Sequence, residues 1–313
     1  MAKKAAAAGK PAAEKLRKGR DLQRGYMGWV FIAPWIIGFL VFKLYPFASS
    51  LVWSFSDFHL FKGISKWGLF NYINVFQDEA KREALLVTIR YAFTTVPLKL
   101  VFALFIAYIL NFKIKCVNAF RTAYYIPSIL GGSVAIAVLW KALFRDDGLI
   151  NAALGMLGLD GIPWLSEPKY ALFVISALRV WQFGSAMVIF LAALKGVPED
   201  LYEAATIDGA GKLKQFFSIT VPMITPVIFY NFITQLVQAF QEFNGPYIIT
   251  KGGPLGSTTL ISLLVYNEAF QGYKIGSASA MAWVIFLIVG ALTAISFASQ
   301  KYWVFYSDDE GGK

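Results

Sequence analysis

Residues Ile275–Ala298 read IGSASAMAWVIFLIVGALTAISFA, a run that contains no charged side chain. The hydrocarbon core of a bilayer is crossed by about 20 apolar residues in an α-helix, so this run predicts a transmembrane helix. Five other stretches are comparable in length and largely apolar. They are Trp29–Leu51, Leu85–Leu110, Ala123–Leu143, Tyr170–Leu194 and Met223–Ile249. The predicted fold class is therefore all-α, a polytopic membrane protein with six transmembrane helices.

The composition agrees with a chain that is solvated by lipid. Hydrophobic residues make up 57% of the chain and charged residues 15%, whereas soluble domains carry about 25% charged residues. The first apolar stretch is longer than the core of a signal peptide and has no small-residue cleavage site behind it, so we expect it to be retained. Pro97, Pro127 and Pro226 lie in or beside predicted helices, where we expect kinks.

The basic residues predict the orientation of the chain. They precede the first predicted helix and fill the loops after the second and fourth, which makes these regions cytoplasmic by the positive-inside rule. They are Lys3, Lys4, Lys10, Lys15, Arg17, Lys18, Arg20, Arg24, Lys113, Lys115, Arg121, Lys195, Lys212 and Lys214. Both termini are therefore expected in the cytoplasm. Residues 1–25 form a disordered basic leader that favours anionic lipid over nucleic acid, residues 26–302 the membrane domain, and residues 303–313 a cytoplasmic tail.

The residues available for catalysis or metal binding are few. The chain has one histidine, His59, and one cysteine, Cys116, so no multi-histidine metal site is predicted. The glycine-rich segment Gly209–Lys212 is followed by leucine and does not fit a phosphate-binding loop. We therefore expect no enzyme activity, no metal and no bound cofactor in this chain.

The segment between the fourth and fifth apolar stretches carries a spaced motif. Gly209 follows Glu203-Ala204-Ala205 after three residues, and Ile219 follows Gly209 after nine. This spacing resembles the EAA loop of ABC importer permeases, with Val221 where leucine is usual. Small alanines permit close approach and the glycine permits a turn. The ATPase-coupling residues implied by the resemblance, within a loop spanning 195–222, are Glu203, Ala204, Ala205, Asp208, Gly209, Ile219 and Pro222.

The resemblance also implies a set of partners. In such permeases this loop is a short helix that docks on a cytoplasmic ATPase dimer, which holds the ATP and Mg²⁺. It implies a second, homologous permease subunit, commonly different from this one, and an extracytoplasmic solute-binding protein. The implied location is the cell membrane of a prokaryote.

A second group of segments resembles the carbohydrate branch of these permeases. It comprises Leu44–Pro46, Lys251–Leu260, Val265–Phe270 and Gly276–Ala280. In that branch a Gly-Gly-Pro loop faces the binding protein, which implies this role for Gly252, Gly253 and Pro254, and a sugar or oligosaccharide as substrate. A non-sugar solute, such as a polyamine or phosphate, is the alternative. A secondary transporter is a weaker one, because it would have no use for the Glu203 loop.

Polar residues inside the predicted helices mark a candidate substrate pathway. At about 100° per residue, one face of the fifth helix carries Asn231, Gln235, Gln238 and Glu242. Arg179 and Gln182 share a face of the fourth helix, and Lys99 lies in the second. A charge in the bilayer interior costs at least roughly 2.5 kcal/mol, so we expect these residues to face water or a partner. Hydrogen bonds between helices are the alternative for each.

Overall fold

The computed structural model describes residues 28–112 and 115–305. The predicted leader, 1–25, lies outside the described residues, as does most of the predicted tail. The chain divides into two compact units, residues 1–53 and 54–313. Helix α1, Gly28–Ser54, accounts for the described part of the first unit and is long and apolar enough to cross a bilayer. Across the described ranges there are helices and turns but no β-strand, so the all-α fold class is confirmed.

The second unit is a helical assembly with irregular connections. Its helices are α2 Phe70–Gln77, α3 Glu79–Asn111, α4 Val117–Leu130, α5 Val134–Leu143, α6 Leu149–Met156, α7 Pro168–Trp181, α8 Gly184–Lys195, α9 Glu199–Ile207, α10 Lys212–Met223, α11 Thr225–Phe240, α12 Ile261–Tyr266 and α13 Ile275–Gln300. Helix α10 contains a π-helical turn at Phe216–Thr220. Two further π-helical turns, Pro246–Thr250 and Asn267–Gln271, flank α12.

Helix α3 is the axis of the second unit. It begins after Asp78, whose side chain accepts the Lys81 N–H at 3.1 Å and caps the helix. It packs against α7, α8 and α11, with Tyr91 and Ala103 fully buried in the core. At 1.5 Å per residue the helix is about 50 Å long, more than the thickness of a bilayer core. Its two ends and its middle therefore define three separate regions of the protein.

Three of the predicted transmembrane helices are broken. Helices α4 and α5 meet at 102°, α7 and α8 at 45°, and α10 and α11 at 67°. Within the described residues, α1, α3 and α13 can each cross a bilayer alone, and the bent pairs raise the number to six if each pair forms one span. Pro97 and Pro127 lie inside helices, whereas the first break falls on Gly131-Gly132. The expectation of kinks at the prolines is therefore only partly right.

The predicted fifth helix, Met223–Ile249, is wrong at its C-terminal end. Helix α11 stops at Phe240, and Gln241 leaves the helical conformation. Glu242 therefore lies in the turn after the helix rather than on its polar face. In this turn the N–H groups of Gln241 and Glu242 donate to carbonyls three residues back, and the Glu242 side chain accepts the N–H of Gly245 at 3.1 Å.

Candidate functional site

At the C-terminal end of α3 lies the loop with the Glu203 motif. Its helix, α9, ends in a Schellman arrangement: the Gly209 N–H donates to the carbonyl of Thr206 at 3.0 Å, and the Ala210 N–H to that of Ala205 at 2.8 Å. Gly209 has φ +78°, a left-handed conformation that glycine adopts without strain. The predicted short helix and glycine turn are both present.

Side-chain hydrogen bonds join α10, the second half of the loop, to α9 and to the turn after it. The Tyr202 and Thr220 hydroxyl oxygens lie 2.8 Å apart. Gln215, which is buried, donates to Thr206 Oγ1 at 2.9 Å and to the carbonyl of Ala210 at 3.0 Å. A cavity of about 720 Å³ is lined by the loop and by the end of α3, and Phe216 of the loop contacts Tyr108 of α3 with ring centroids 4.7 Å apart. Because the two arms are bonded to each other, the loop can move as one body.

The outer surface of this loop exposes large apolar side chains. Ile207 is 87% exposed and Leu213 77%, and Glu203 and Asp208 are exposed beside them, whereas Ile219 and Pro222 are half-buried nearer the membrane helices. Apolar side chains clustered on a loop that bears charges are typical of a surface that docks on another protein. Ile207 and Leu213 were not among the predicted site residues, although their place inside the motif could have pointed to them.

In the middle of α3, a buried ammonium meets a buried amide. Lys99 Nζ donates to Gln235 Oε1 at 2.7 Å, and the two side chains are 3% and 5% exposed. Asn231, one helical turn earlier on α11, is also buried, and its amide nitrogen has no hydrogen-bond partner among the described residues. The first half of the predicted stripe thus faces α3 inside the subunit, where Gln235 accepts a hydrogen bond from an interior charge.

The other two residues of the predicted stripe, Gln238 and Glu242, lie beside Arg179. The guanidinium donates to Gln238 Oε1 at 2.6 Å and to Gln182 Oε1 at 3.3 Å, and lies 3.8 Å from Glu242 Oε2. Arg179 and Glu242 are 19% and 15% exposed at their side chains. These four residues form what we call the Arg179 cluster. The fourth and fifth predicted helices therefore converge on one charged group.

The Arg179 cluster lies where helices are interrupted. Gln182, at the break between α7 and α8, donates to the carbonyl of Gly131 at 3.0 Å, at the break between α4 and α5. Ser128 in turn donates to the carbonyl of Gln182 at 3.0 Å. A small cavity of about 60 Å³ is lined by Gly131, Gln182, Arg179 and Glu242, among others. Movement at either break would change the shape of this cavity.

The Gly-Gly-Pro loop lies toward the other end of α3. The Ile261 N–H, just after the loop, donates to Thr88 Oγ1 of α3 at 2.8 Å. Gly252 is buried with φ +86°, and its carbonyl accepts from Thr259 Oγ1 at 3.0 Å. The most prominent residue is Leu255 at the tip, which is 94% exposed. The glycines and Pro254 thus shape the loop, and Leu255 is the residue that it presents.

Comparison with known proteins gives concordant matches. Residues 76–304 match the family described as binding-protein-dependent transport system inner membrane component. The chain is 46% identical to the probable ABC transporter permease protein YesP of Bacillus subtilis, over 95% of this chain and 98% of that protein. It is 34% identical to the lactose transport system permease protein LacF of Rhizobium radiobacter, over 88% and 94% of the two chains. Its fold resembles a chain from a bacterial ABC transporter involved in import of the acidic polysaccharide alginate, with a TM-score of 0.79, 22% identity and coverage of 91% and 98%.

Proposed function

Since the chain belongs to the family of binding-protein-dependent transport system inner membrane components, we propose that it is a permease subunit of an ATP-driven importer of sugars. The observation that carries this proposal is the Glu203 loop. It has the family spacing, a Gly209 turn, and exposed apolar side chains at the end of the molecule where the basic loops lie. The sugar substrate is supported by the Lys251–Leu260 segment and by the relative named as a lactose permease.

The coupling role belongs to the Glu203 loop acting on α11. A cytoplasmic ATPase dimer binds ATP and Mg²⁺ in this proposal, and within residues 28–112 and 115–305 no group of three or more His, Cys, Asp or Glu side chains could hold a metal ion. The ATPase receives Ile207 and Leu213, and Glu203, Ala204, Ala205, Asp208 and Gly209 lie in the docked segment. Closure of the ATPases carries the bonded loop with it. Because α10 leads directly into α11, this movement reaches Gln235 and Gln238 through the Ile224 break.

The remaining partners follow from the same topology. Residues 252–255 face a solute-binding protein outside the cell, and both termini lie in the cytoplasm. A second, homologous permease subunit completes the pathway. Helix α3 supports the placement of the two loops on opposite sides of the membrane. The segment after the Gly-Gly-Pro loop is hydrogen-bonded to Thr88, whereas the Glu203 loop lines a cavity together with Tyr108. Twenty residues of helix separate these positions, about 30 Å, which is the thickness of a bilayer core.

The Arg179 cluster is the proposed substrate contact. Guanidinium and amide groups donate hydrogen bonds and carboxylate and amide oxygens accept them, which together suit the hydroxyls of a sugar. Partial exposure of Arg179 and Glu242 and the small cavity beside them support this assignment. Asn231 and Gln235 act one layer deeper, where Gln235 holds Lys99 in place.

The test is reconstitution of transport. The subunit is purified in mild detergent with the proteins that accompany it, inserted in proteoliposomes and supplied with ATP and the copurified binding protein. Uptake of labelled lactose and maltose is compared with uptake of labelled spermidine and phosphate. Sugar uptake that requires both ATP and the binding protein is expected. Uptake without ATP, driven by an ion gradient, would indicate a secondary transporter, and uptake of spermidine or phosphate alone would contradict the sugar assignment.

The orientation is tested with cysteines in a Cys116→Ser background. Leu255→Cys and Leu213→Cys are matched probes because both side chains are highly exposed, at 94% and 77%. An impermeant maleimide added to intact spheroplasts should label position 255 and leave position 213 unlabelled until the membrane is opened. The reverse pattern would overturn the orientation.

A further inference from the structure

A polar cavity of about 240 Å³ lies at the beginning of α3. Its lining includes Lys81, and 27 residues of helix separate Lys81 from Tyr108 at the Glu203 end, a distance of about 40 Å. The cavity is therefore remote from the coupling loop and also distinct from the Arg179 cluster in the middle. It is lined by Asp57, Phe58, Phe70, Asn71, Asn74, Lys81, Glu268, Lys274 and Ser277.

Lys81 places a buried cation in this cavity. The residue is 5% exposed, and its ammonium donates to Ser277 Oγ at 2.9 Å. A lysine ammonium has three N–H donors, so one hydroxyl leaves it undersupplied with acceptors. Burial of a charge without hydrogen bonds is costly, which favours a ligand that offers further oxygens.

Glu268, which lines the same cavity, has a carboxylate oxygen that lacks a hydrogen-bond donor among the described residues. Its Oε2 atom is buried and has no hydrogen-bond partner in the part of the chain that the structure describes. Its Oε1 atom lies 3.9 Å from Lys274 Nζ. Lys81 and Glu268 form no ion pair with each other among the described contacts, so the cavity holds a donor and an acceptor that do not satisfy one another.

The walls of the cavity are fixed by hydrogen bonds. Buried Asn71 donates to the carbonyls of Ser54 and Ser56 at 3.0 and 2.7 Å. Asp57 Oδ1 accepts the N–H groups of Ser65 and Lys66 at 2.8 and 2.9 Å. The bond from Lys66 lowers the pKa of Asp57, which therefore remains a carboxylate. The loop before α2 is thus held in one shape, as a binding site requires.

The lining combines neutral net charge with aromatic surface. Two carboxylates, Asp57 and Glu268, offset two ammonium groups, Lys81 and Lys274, which disfavours a strongly charged ligand. Phe58 and Phe70 contribute aromatic residues to the lining, and aromatic residues suit the C–H face of a sugar. At ~30 Å³ per water, the volume corresponds to about eight water molecules, which a polyhydroxylated ring can displace while it replaces their hydrogen bonds.

We propose that this cavity is a second carbohydrate site, which binds one neutral monosaccharide unit on the side of the membrane opposite the Glu203 loop. One ligand hydroxyl donates to the Glu268 carboxylate, and a neighbouring hydroxyl accepts from Lys81. The proposal rests on the proposed sugar import function and adds a contact made before the substrate reaches the Arg179 cluster.

The experiment uses the assembled transporter in nanodiscs, without binding protein, in a Cys116→Ser background. Asn74 lines the cavity and is exposed, so Asn74→Cys reports on occupancy through its rate of reaction with a charged methanethiosulfonate. D-glucose, D-galactose, D-mannose and lactose are the probes. At least one should slow the reaction severalfold in a saturable manner, whereas a cysteine in place of exposed Leu149, at the start of α6, should react at an unchanged rate.

The Glu268→Gln variant decides whether the site acts as described. It preserves shape and removes the anionic acceptor, so the sugar concentration that gives half protection should rise about tenfold, the loss expected for one hydrogen bond to a charged group. Glu167→Gln, an exposed carboxylate outside the cavity, should leave it unchanged. If Glu268→Gln impairs assembly, Lys81→Met replaces it with the same expectation.

The outcomes separate this proposal from the proposed function. Absence of protection by any of the four sugars, in a complex that imports one of them, overturns the second site alone. Protection that Glu268→Gln and Lys81→Met both leave intact also overturns it. If the complex imports only a non-sugar solute and no sugar protects, the proposed function fails together with the site.

Discussion

The Glu203 loop and the interior of the subunit are built in opposite ways. In the loop, the bonds that fix the fold join residues close in sequence, such as Ala205 with Ala210, and the side chains that matter point to solvent. In the interior, Lys99 bonds Gln235 across 136 positions of sequence and Arg179 bonds Gln238 across 59. In the proposed function the first region meets another protein. The second is organised to keep charge inside a membrane.

This difference separates two kinds of sensitivity to mutation. A substitution in the loop should leave assembly intact and affect communication with the ATPase, because the altered side chain contacts few atoms of this chain. A substitution in the interior should first affect stability, because a group that loses its partner there has no water to replace it.

The largest effect is expected when Lys99 loses its acceptor. Gln235→Leu should destabilise the purified subunit by about 3 kcal/mol, because a buried ammonium is left unpaired. Lys99→Met should cost less, since only an amide is orphaned. The double variant should be close to wild type, as two apolar side chains replace the pair. Thermal unfolding in detergent measures all three. A double variant as unstable as Gln235→Leu would show that the pair is not an isolated unit.

Transport should respond next, to Gly209→Val. Open space surrounds Gly209, but its φ of +78° is unfavourable for a β-branched residue by roughly 1–2 kcal/mol per residue. Uptake and binding-protein-stimulated ATPase activity should fall about 5- to 30-fold, the ratio for such an energy, with unchanged membrane assembly. Gly211→Val is the matched control, since Gly211 has equal space and φ −69°. Equal activity of the two variants would remove the coupling role from the Gly209 turn.

The same difference between the Glu203 loop and the interior decides which features can be predicted from the sequence. The six apolar stretches and the Glu203–Pro222 spacing are contiguous, so composition and motif predict them. The stop of α11 at Phe240 is not predicted at that residue, because Gln241 and Glu242 continue the helical period and the turn signal Asn244-Gly245-Pro246 comes only afterwards. The partner of Lys99 is not predicted either, because hydropathy assigns a charge to the interior without saying which of several polar residues faces it.

A smaller change is expected at the Arg179 cluster, where partial exposure weakens the interactions. Glu242→Gln retains an acceptor for the Gly245 N–H but removes the charge 3.8 Å from Arg179. We expect sugar uptake to fall about fivefold, or sugar preference to change, since a partly solvated ion pair contributes about 1 kcal/mol. Unfolding temperature should fall by only about 2–4 °C, the shift that 1 kcal/mol produces in a domain of this size class. Gln241→Glu, at an exposed neighbouring position, is the control. Unchanged rate and preference in Glu242→Gln would make the cluster a structural bond only.

The smallest effect should come from Gly131→Ala, which tests whether the break between α4 and α5 shapes the same cavity. A Cβ at position 131 would overlap the Gln182 side chain, which donates to the carbonyl of Gly131, whereas a Cβ at Gly132 would meet open space. The backbone of Gly131 is right-handed, with φ −63°, so alanine adds no backbone strain there. The methyl group must therefore act by displacing Gln182 and, through it, Arg179.

Overpacking of this kind costs about 1–3 kcal/mol when neighbours cannot move. A glutamine side chain can rotate, so we expect the Gly131→Ala variant to lie at the lower limit of this range and to lose uptake two- to fivefold. Gly132→Ala should transport normally. If both alanines are silent, Gln182 is free to move without consequence, and the substrate pathway does not depend on this helix break.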